Sequence, residues 1–128
     1  MIVVDASALL APHLREPGDE AVRAVFDRPG PMRIAPANWL EARIVSERNG
    51  IGETLASFVA ARRIEIVPTD AAQTQIAWDA FRRFGKGRHP AALNLADCFA
   101  YALARTLDAP LLYVGEDFAR TDIRTAIV

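Results

Sequence analysis

The chain has 128 residues, one domain's worth, enough to bury roughly two-thirds of the surface its unfolded form exposes. Its hydrophobic fraction of 52%, charged fraction of 24% and net charge of −1 match an ordinary soluble globular protein. That balance argues against a general nucleic-acid coat protein, but not against an enzyme that needs positive charge only along a local track. No apolar stretch approaches the ~20 residues of a membrane span, and the N-terminus lacks the basic start and cleavage site of a secretory signal. Cys98 is the single cysteine, which rules out an intrachain disulfide or a cysteine-based zinc site. The expected setting is the cytoplasm.

In chain order, residues 1–4 are an apolar run too short for a helix and read as a buried strand ending at Asp5. Ala6 to Leu14 is helix-compatible until Pro17-Gly18 breaks it. From Asp19 to Arg28, Ala21, Val22, Val25 and Phe26 recur at helical spacing, and Pro29-Gly30-Pro31 ends the segment. Arg33-Ile34-Ala35 is a brief strand. The spacing then predicts a helix over 36–48, with Trp39, Leu40, Ile44 and Val45 toward the core and a stop at Asn49-Gly50. A further helix is expected from about Gly52 to Arg62, and Ile64-Glu65-Ile66-Val67 is a third strand.

Thr69-Asp70 opens another helix with Ile76, Ala77, Ala80, Phe81 and Phe84 on its apolar face. Residues 85–90 are a loop, and Asn94 suits the N-cap of a helix continuing through Ala104. Pro110 precedes a strand at 111–114, and residues 123–128 are a candidate last strand. Strands alternating with helices imply parallel βαβ units, hence a single three-layer α/β/α domain over residues 1–128.

Asp5, Glu41, Asp97 and Asp117 each fall at a junction or helix face in this scheme. Carboxylates at the exit ends of strands in an open α/β sheet point into the crevice where ligands bind. Brought together they repel, so they need protons or a divalent cation to coexist. A Mg²⁺-type site is the natural resolution.

The motifs Val4-Asp5-Ala6-Ser7, Glu41 within a helix, Asn94-Leu95-Ala96-Asp97-Cys98, and Gly115-Glu116-Asp117-Phe118 followed by Thr121-Asp122 resemble the PIN-domain family. The likeness is greatest to the VapC-type toxins of bacterial toxin–antitoxin pairs, and it covers essentially the whole chain. It implies a PIN-like sandwich around a mainly parallel sheet. It also implies a Mg²⁺- or Mn²⁺-dependent endoribonuclease that hydrolyses RNA with a metal-activated water, held inactive by a cognate antitoxin, and a homodimer. By position, Asp5, Glu41, Asp97 and Asp117 are the acidic quartet, and Ser7 and Asn94 match supporting polar positions. For the activity so implied, Asp5 and Asp97 are the expected main ligands, because Mg²⁺ usually takes one or two carboxylates and keeps waters. Glu41 either ligates through water or orients the attacking water. Asp117 either holds a second cation or shapes the field, and Glu116 and Asp122 compete for its place.

Each acid also has a plain structural reading: a cap for Asp5, a solvated helix face for Glu41, a helix-dipole residue for Asp97 and a turn cap for Asp117. All four at one sheet edge by accident is the harder proposition. Cys98 reads as a small core residue, and His13 and His89 as surface residues. Arg62-Arg63 and the run Arg82, Arg83, Lys86 and Arg88 either contact RNA phosphates or are solvated ends. The apolar residues of the 36–62 helical pair serve either the core or protein contacts. A phosphoacceptor receiver domain would need paired acids after the first strand and a late lysine, and a haloacid-dehalogenase-like phosphatase would need Asp where Ser7 stands. The main alternative is a catalytically silent PIN-like module that binds RNA or protein.

Overall fold

The apolar opening run becomes β1 (Ile2–Val4), and its place in the sheet accounts for its composition. In the computed structural model, which describes residues 1–127, β1 lies between β2 (Met32–Ile34) and β4 (Leu111–Leu112), with β3 (Glu65–Ile66) outside β2. The three pairings are parallel, setting Ile2 opposite Met32, Val3 opposite Leu111 and Ile34 opposite Ile66. Neighbouring residues on a strand face opposite ways. Val3 and Leu111 accordingly join one core, while Val4 and Leu112 join another on the far side. A sheet covered on both faces needs unbroken apolar strands, not alternating ones.

Four helices cover the second of these faces: α1 (Ala6–Leu14), α2 (Asp19–Phe26), α3 (Pro36–Arg48) and α4 (Gly52–Arg62). They bury Leu9, Val22, Val25 and Leu55 against Val4, Ile34 and Leu112. The first face is covered by α5 (Ala71–Phe84) and α6 (Leu95–Leu107), which contribute Ala77, Phe84, Tyr101 and Leu103. The expected three-layer sandwich with a parallel sheet is therefore present. No helix among the described residues is long and apolar enough to cross a membrane.

Two expectations change. Residues 123–127 do not form a strand. Thr125 makes only an isolated parallel bridge to Leu111, with the Leu111 amide donating to the Arg124 carbonyl at 2.8 Å, and Val128 lies outside the described residues. The second change concerns α3. Leu40 and Ile44 are 59% and 43% exposed, and Trp39 and Val45 are half-buried. The buried stripe is instead Asn38, Ala42 and Ser46, four residues apart and small. Small side chains let α3 pack closely against α1, α4 and α6.

Arg62 has a structural use: its guanidinium donates to the carbonyls of Phe26 (2.9 Å), Arg28 (2.7 Å) and Gly30, tying α4 to the turn between α2 and β2.

Candidate active site

The sheet order places the site. The chain leaves β1 for β2 on one side and later returns to β4 on the other, so a crevice opens beyond the carboxyl end of β1. Asp5 is the first residue after β1, and its amide still pairs with the Leu112 carbonyl at 2.9 Å. It is also the N-cap of α1, accepting from the Ser7 amide at 3.1 Å. Its capping role and its place in the crevice coincide. The Ser7 hydroxyl donates to Asp5 Oδ2 at 2.6 Å and accepts from the Val114 amide at 3.0 Å, which fixes the exit of β4 beside the exit of β1.

Asp97 is held by a reciprocal cap. Asn94 Oδ1 accepts from the Asp97 amide at 2.9 Å, and Asp97 Oδ2 accepts from the Asn94 amide at 3.0 Å. This capping box satisfies two orphan donors of α6 and fixes the carboxylate at its third position, where the helix dipole favours negative charge. Glu41 enters from α3, and Asp117 from the N-cap of the short 3₁₀ turn Phe118–Arg120 after β4.

All four acids, with Ser7 and Asn94, line one cavity of about 390 Å³. Glu116 and Asp122 do not line it. Asp122 is engaged elsewhere, accepting from the Tyr101 hydroxyl at 2.6 Å and pairing with Arg83 at 3.3 Å. Asp117 is thus the member of that competing trio at the cavity. Neither His13, whose Nδ1 lies 2.8 Å from the Leu9 carbonyl, nor His89, which accepts from the Ala91 amide at 3.0 Å, lines it. Buried Cys98 sits beside Asp97, and desolvation, with the Asp97 charge adding, pushes its thiol up to about 11.

Two polar residues at the cavity escape the sequence reading, one on its rim and one behind its wall. Glu16 reaches the rim from the turn after α1, where nothing in the local pattern marks it. That turn runs close to Val114: a Cβ on Gly18, at φ +89°, would meet Val114 Cγ1 at 3.4 Å. Asn38, fully buried, does not line the cavity but reaches its wall by donating to Asp5 Oδ1. A partial signal for it did exist, since Asn38 precedes Glu41 by three positions, a spacing that places both on one face of α3.

The acids share one space closely enough to raise one another's proton affinities. Burial pushes Asp5 up to about 6 against the lowering donors of Ser7, and the Glu41 charge raises it further. Asp97 is likewise pushed up to about 6, first by burial and then by the charges of Asp5 and Asp117. Glu41 is raised by burial and by Asp97. Among the described residues no lysine, arginine or histidine lines the cavity to offset this charge. An all-oxygen donor set with uncompensated negative charge suits a hard divalent cation. Among the described residues, however, no three acidic, histidine or cysteine side chains are set as a ready-made metal cage. The fit is therefore to an ion that takes one or two carboxylates and retains waters.

Of the basic residues singled out, Arg82, Arg83, Lys86 and Arg88 are exposed on the last turn of α5 and the following loop, outside the cavity. Arg83 also stacks over the Phe84 ring at 4.7 Å.

The fold and its acidic crevice define a class, and comparison with known proteins agrees with it. The PIN domain model matches residues 2–124, and the chain belongs to that family. At the level of individual relatives, it is 43% identical to "Ribonuclease VapC" of Mycolicibacterium smegmatis over 95% of this chain and 97% of that one. It is 39% identical to "Ribonuclease VapC30" of Mycobacterium tuberculosis, covering 97% of each. Among solved structures, Mycobacterium tuberculosis VapC20, described as a sarcin-ricin loop cleaving toxin, superposes with a TM-score of 0.78 over the full length of both chains at 13% identity. A toxin–antitoxin complex from Klebsiella pneumoniae gives 0.72 over 95% of this chain and 93% of that one at 15% identity, so these two likenesses concern the fold.

Proposed function

We propose that the acidic cavity is the active site of an endoribonuclease dependent on Mg²⁺ or Mn²⁺, and that the protein is the toxin of a toxin–antitoxin pair acting on cytoplasmic RNA. The observation that carries this reading is the convergence of Asp5, Glu41, Asp97 and Asp117 on one cavity lined, among the described residues, by no cationic side chain. Relatives named as VapC ribonucleases at 39% and 43% identity support the choice of RNA over other phosphodiesters.

Asp5 and Asp97 are the residues that would hold the ion. Each is buried, each is fixed by hydrogen bonds, and each retains lone pairs beyond those bonds. The ion's chemistry is to offset charge on the phosphoryl oxygens and to polarise a water for attack. Glu41, half-buried and with raised proton affinity, orients that water and takes its proton on a carboxylate oxygen as the water oxygen bonds to phosphorus. The P–O ester bond breaks with its electron pair on the departing oxygen, which takes a proton from solvent. Asp117, at the outer lip, shapes the field at the entrance. Ser7 and Asn94 hold the two ligands in orientation. Arg82, Lys86 and Arg88 supply contacts for the RNA backbone, which position the strand without reading its sequence.

The exposed apolar surface of Leu40, Ile44, Trp78 and Leu95 supports protein association, with a second copy and with the antitoxin. Structural neighbours that are toxin–antitoxin complexes support the latter partner.

The test is RNA cleavage by the purified protein with and without EDTA, alongside Asp5→Ala and Asp97→Ala. Both variants should stay folded by circular dichroism and lose cleavage by about a hundredfold or more, the scale of losing an electrostatic group at a reacting phosphate. Cleavage that persists in EDTA, or in a folded Asp97→Ala protein, refutes the assignment.

A further inference from the structure

Asn38 stands at a core position with no exposed surface, yet it is an amide. Its Nδ2 donates to Asp5 Oδ1 at 3.3 Å and to the Ala96 carbonyl at 3.0 Å, which uses both N–H bonds of the group. Its own Oδ1 is buried with no partner in the protein. An unpaired buried carbonyl is destabilising, and a leucine of similar volume would fill the site without that defect. Turning the amide over does not help, because Oδ1 would then face Asp5 Oδ1 and the Ala96 carbonyl oxygen, acceptor against acceptor. No other group among the described residues pairs with that oxygen, so packing alone does not account for an amide at this position. Residues of this kind are expected where function, not stability, sets the choice.

What the amide secures is a bridge between the two ligand-bearing segments. Asp5 ends β1, and Ala96 immediately precedes Asp97 in the first turn of α6. Ser7 holds Asp5 Oδ2 from one side while Asn38 holds Oδ1 from the other. We infer that Asn38 is a positioning residue that locks the Asp5 carboxylate against the Asp97-bearing turn, so that both acids meet a divalent cation as a preset pair. The inference rests on the reading of this cavity as a metal-dependent nuclease site. Outer partners of metal ligands act in this way, fixing ligand orientation without touching the ion.

The experiment uses the full chain, with Mn²⁺ as the probe in calorimetric titration, steady-state RNA cleavage and thermal unfolding, on wild type, Asn38→Leu and Asn38→Ser. Asn38→Leu should unfold at the same temperature or higher, bind Mn²⁺ about 10–100-fold more weakly, and lose kcat by a similar factor with KM for RNA unchanged. Asn38→Ser keeps a short donor and should fall between. A purely structural role predicts the reverse order, with metal affinity following thermal stability. Wild-type Mn²⁺ affinity in folded Asn38→Leu overturns the inference. If that variant fails to fold, undiminished affinity in Asn38→Ser overturns it equally. A wild-type protein that binds Mn²⁺ but spares RNA overturns the nuclease reading alone, and the affinity order still decides for or against Asn38. A wild-type protein that binds no Mn²⁺ overturns both.

Discussion

Asp5 and Asp97 are two buried carboxylates whose proton affinities rise together, and the consequence is a stability that depends on pH in an unusual direction. Both are pushed from 3.8 to about 6, burial being the leading cause and neighbouring acids the next. With folded values above the unfolded ones, the unfolded chain binds fewer protons between about pH 4 and 6, so stability from these groups falls as pH rises through that window. The pair together contributes on the order of a few kcal/mol to that fall. The metal-free protein should therefore melt at a higher temperature near pH 5 than its other carboxylates alone would allow, and lose that advantage by pH 7. Asp97→Asn keeps a cap acceptor but cannot ionise, and should flatten the slope. Melting temperatures across pH 4.5–7.5 in EDTA measure this, and a variant slope as steep as wild type would show that Asp97 is not among the titrating groups. Divalent cation binding should strengthen over the same range, because the ion competes with those protons.

At the scale of elements, the α6 cap joins stability to chemistry. Asn94→Ala removes the acceptor for the Asp97 amide and frees the first turn of α6. Loss of such a cap costs about 1 kcal/mol. Chemical denaturation should show that loss, and RNA cleavage should fall in parallel because Asp97 is no longer held, whereas Asn94→Ser should restore most of both. Cleavage unaffected by Asn94→Ala would separate the cap from the site. This cap was legible in the chain, since Asn94 with Asp97 three residues on before an apolar run is a local signal. Helix limits at Pro36–Arg48 and Gly52–Arg62 were equally legible from Pro, Asn and Gly punctuation. The orientation of α3 was not. Its bulky apolar residues at Leu40 and Ile44 point outward, and Asn38, Ala42 and Ser46 are buried, because close packing against α1, α4 and α6 favours small side chains over bulky ones. Periodicity marks a face but does not say which neighbour it meets. Asn38 shares a face of α3 with Glu41, but its link to Asp5 follows only from tertiary packing, whereas carboxylates just after strands, such as Asp5 and Asp117, follow from topology.

Over the whole molecule, that outward turn of α3 leaves large apolar side chains in water without any need from the monomer's core. Leu40, Ile44 and Leu95 border a shallow cleft of about 430 Å³, and Leu95 also borders the neighbouring cleft of about 380 Å³ that holds Trp78 and Phe81. A continuous apolar track thus crosses from α3 over the start of α6 to α5. Contiguous apolar surface on a soluble chain marks association, where scattered single residues do not. Glu41 lies on the edge of the first cleft as well as in the acidic cavity, so a partner seated on this track would stand beside the mouth of that cavity. Leu40→Glu combined with Ile44→Glu should convert a self-associating protein to monomer in sedimentation experiments, since two charges per copy would be buried unpaired at the contact. The folding stability of the isolated chain should move by no more than about 0.5 kcal/mol, because neither residue supports the core. If the double variant sediments as wild type does, the track is not the self-association surface. If it unfolds instead, Leu40 and Ile44 contribute to the core after all, and the outward orientation of α3 is wrong.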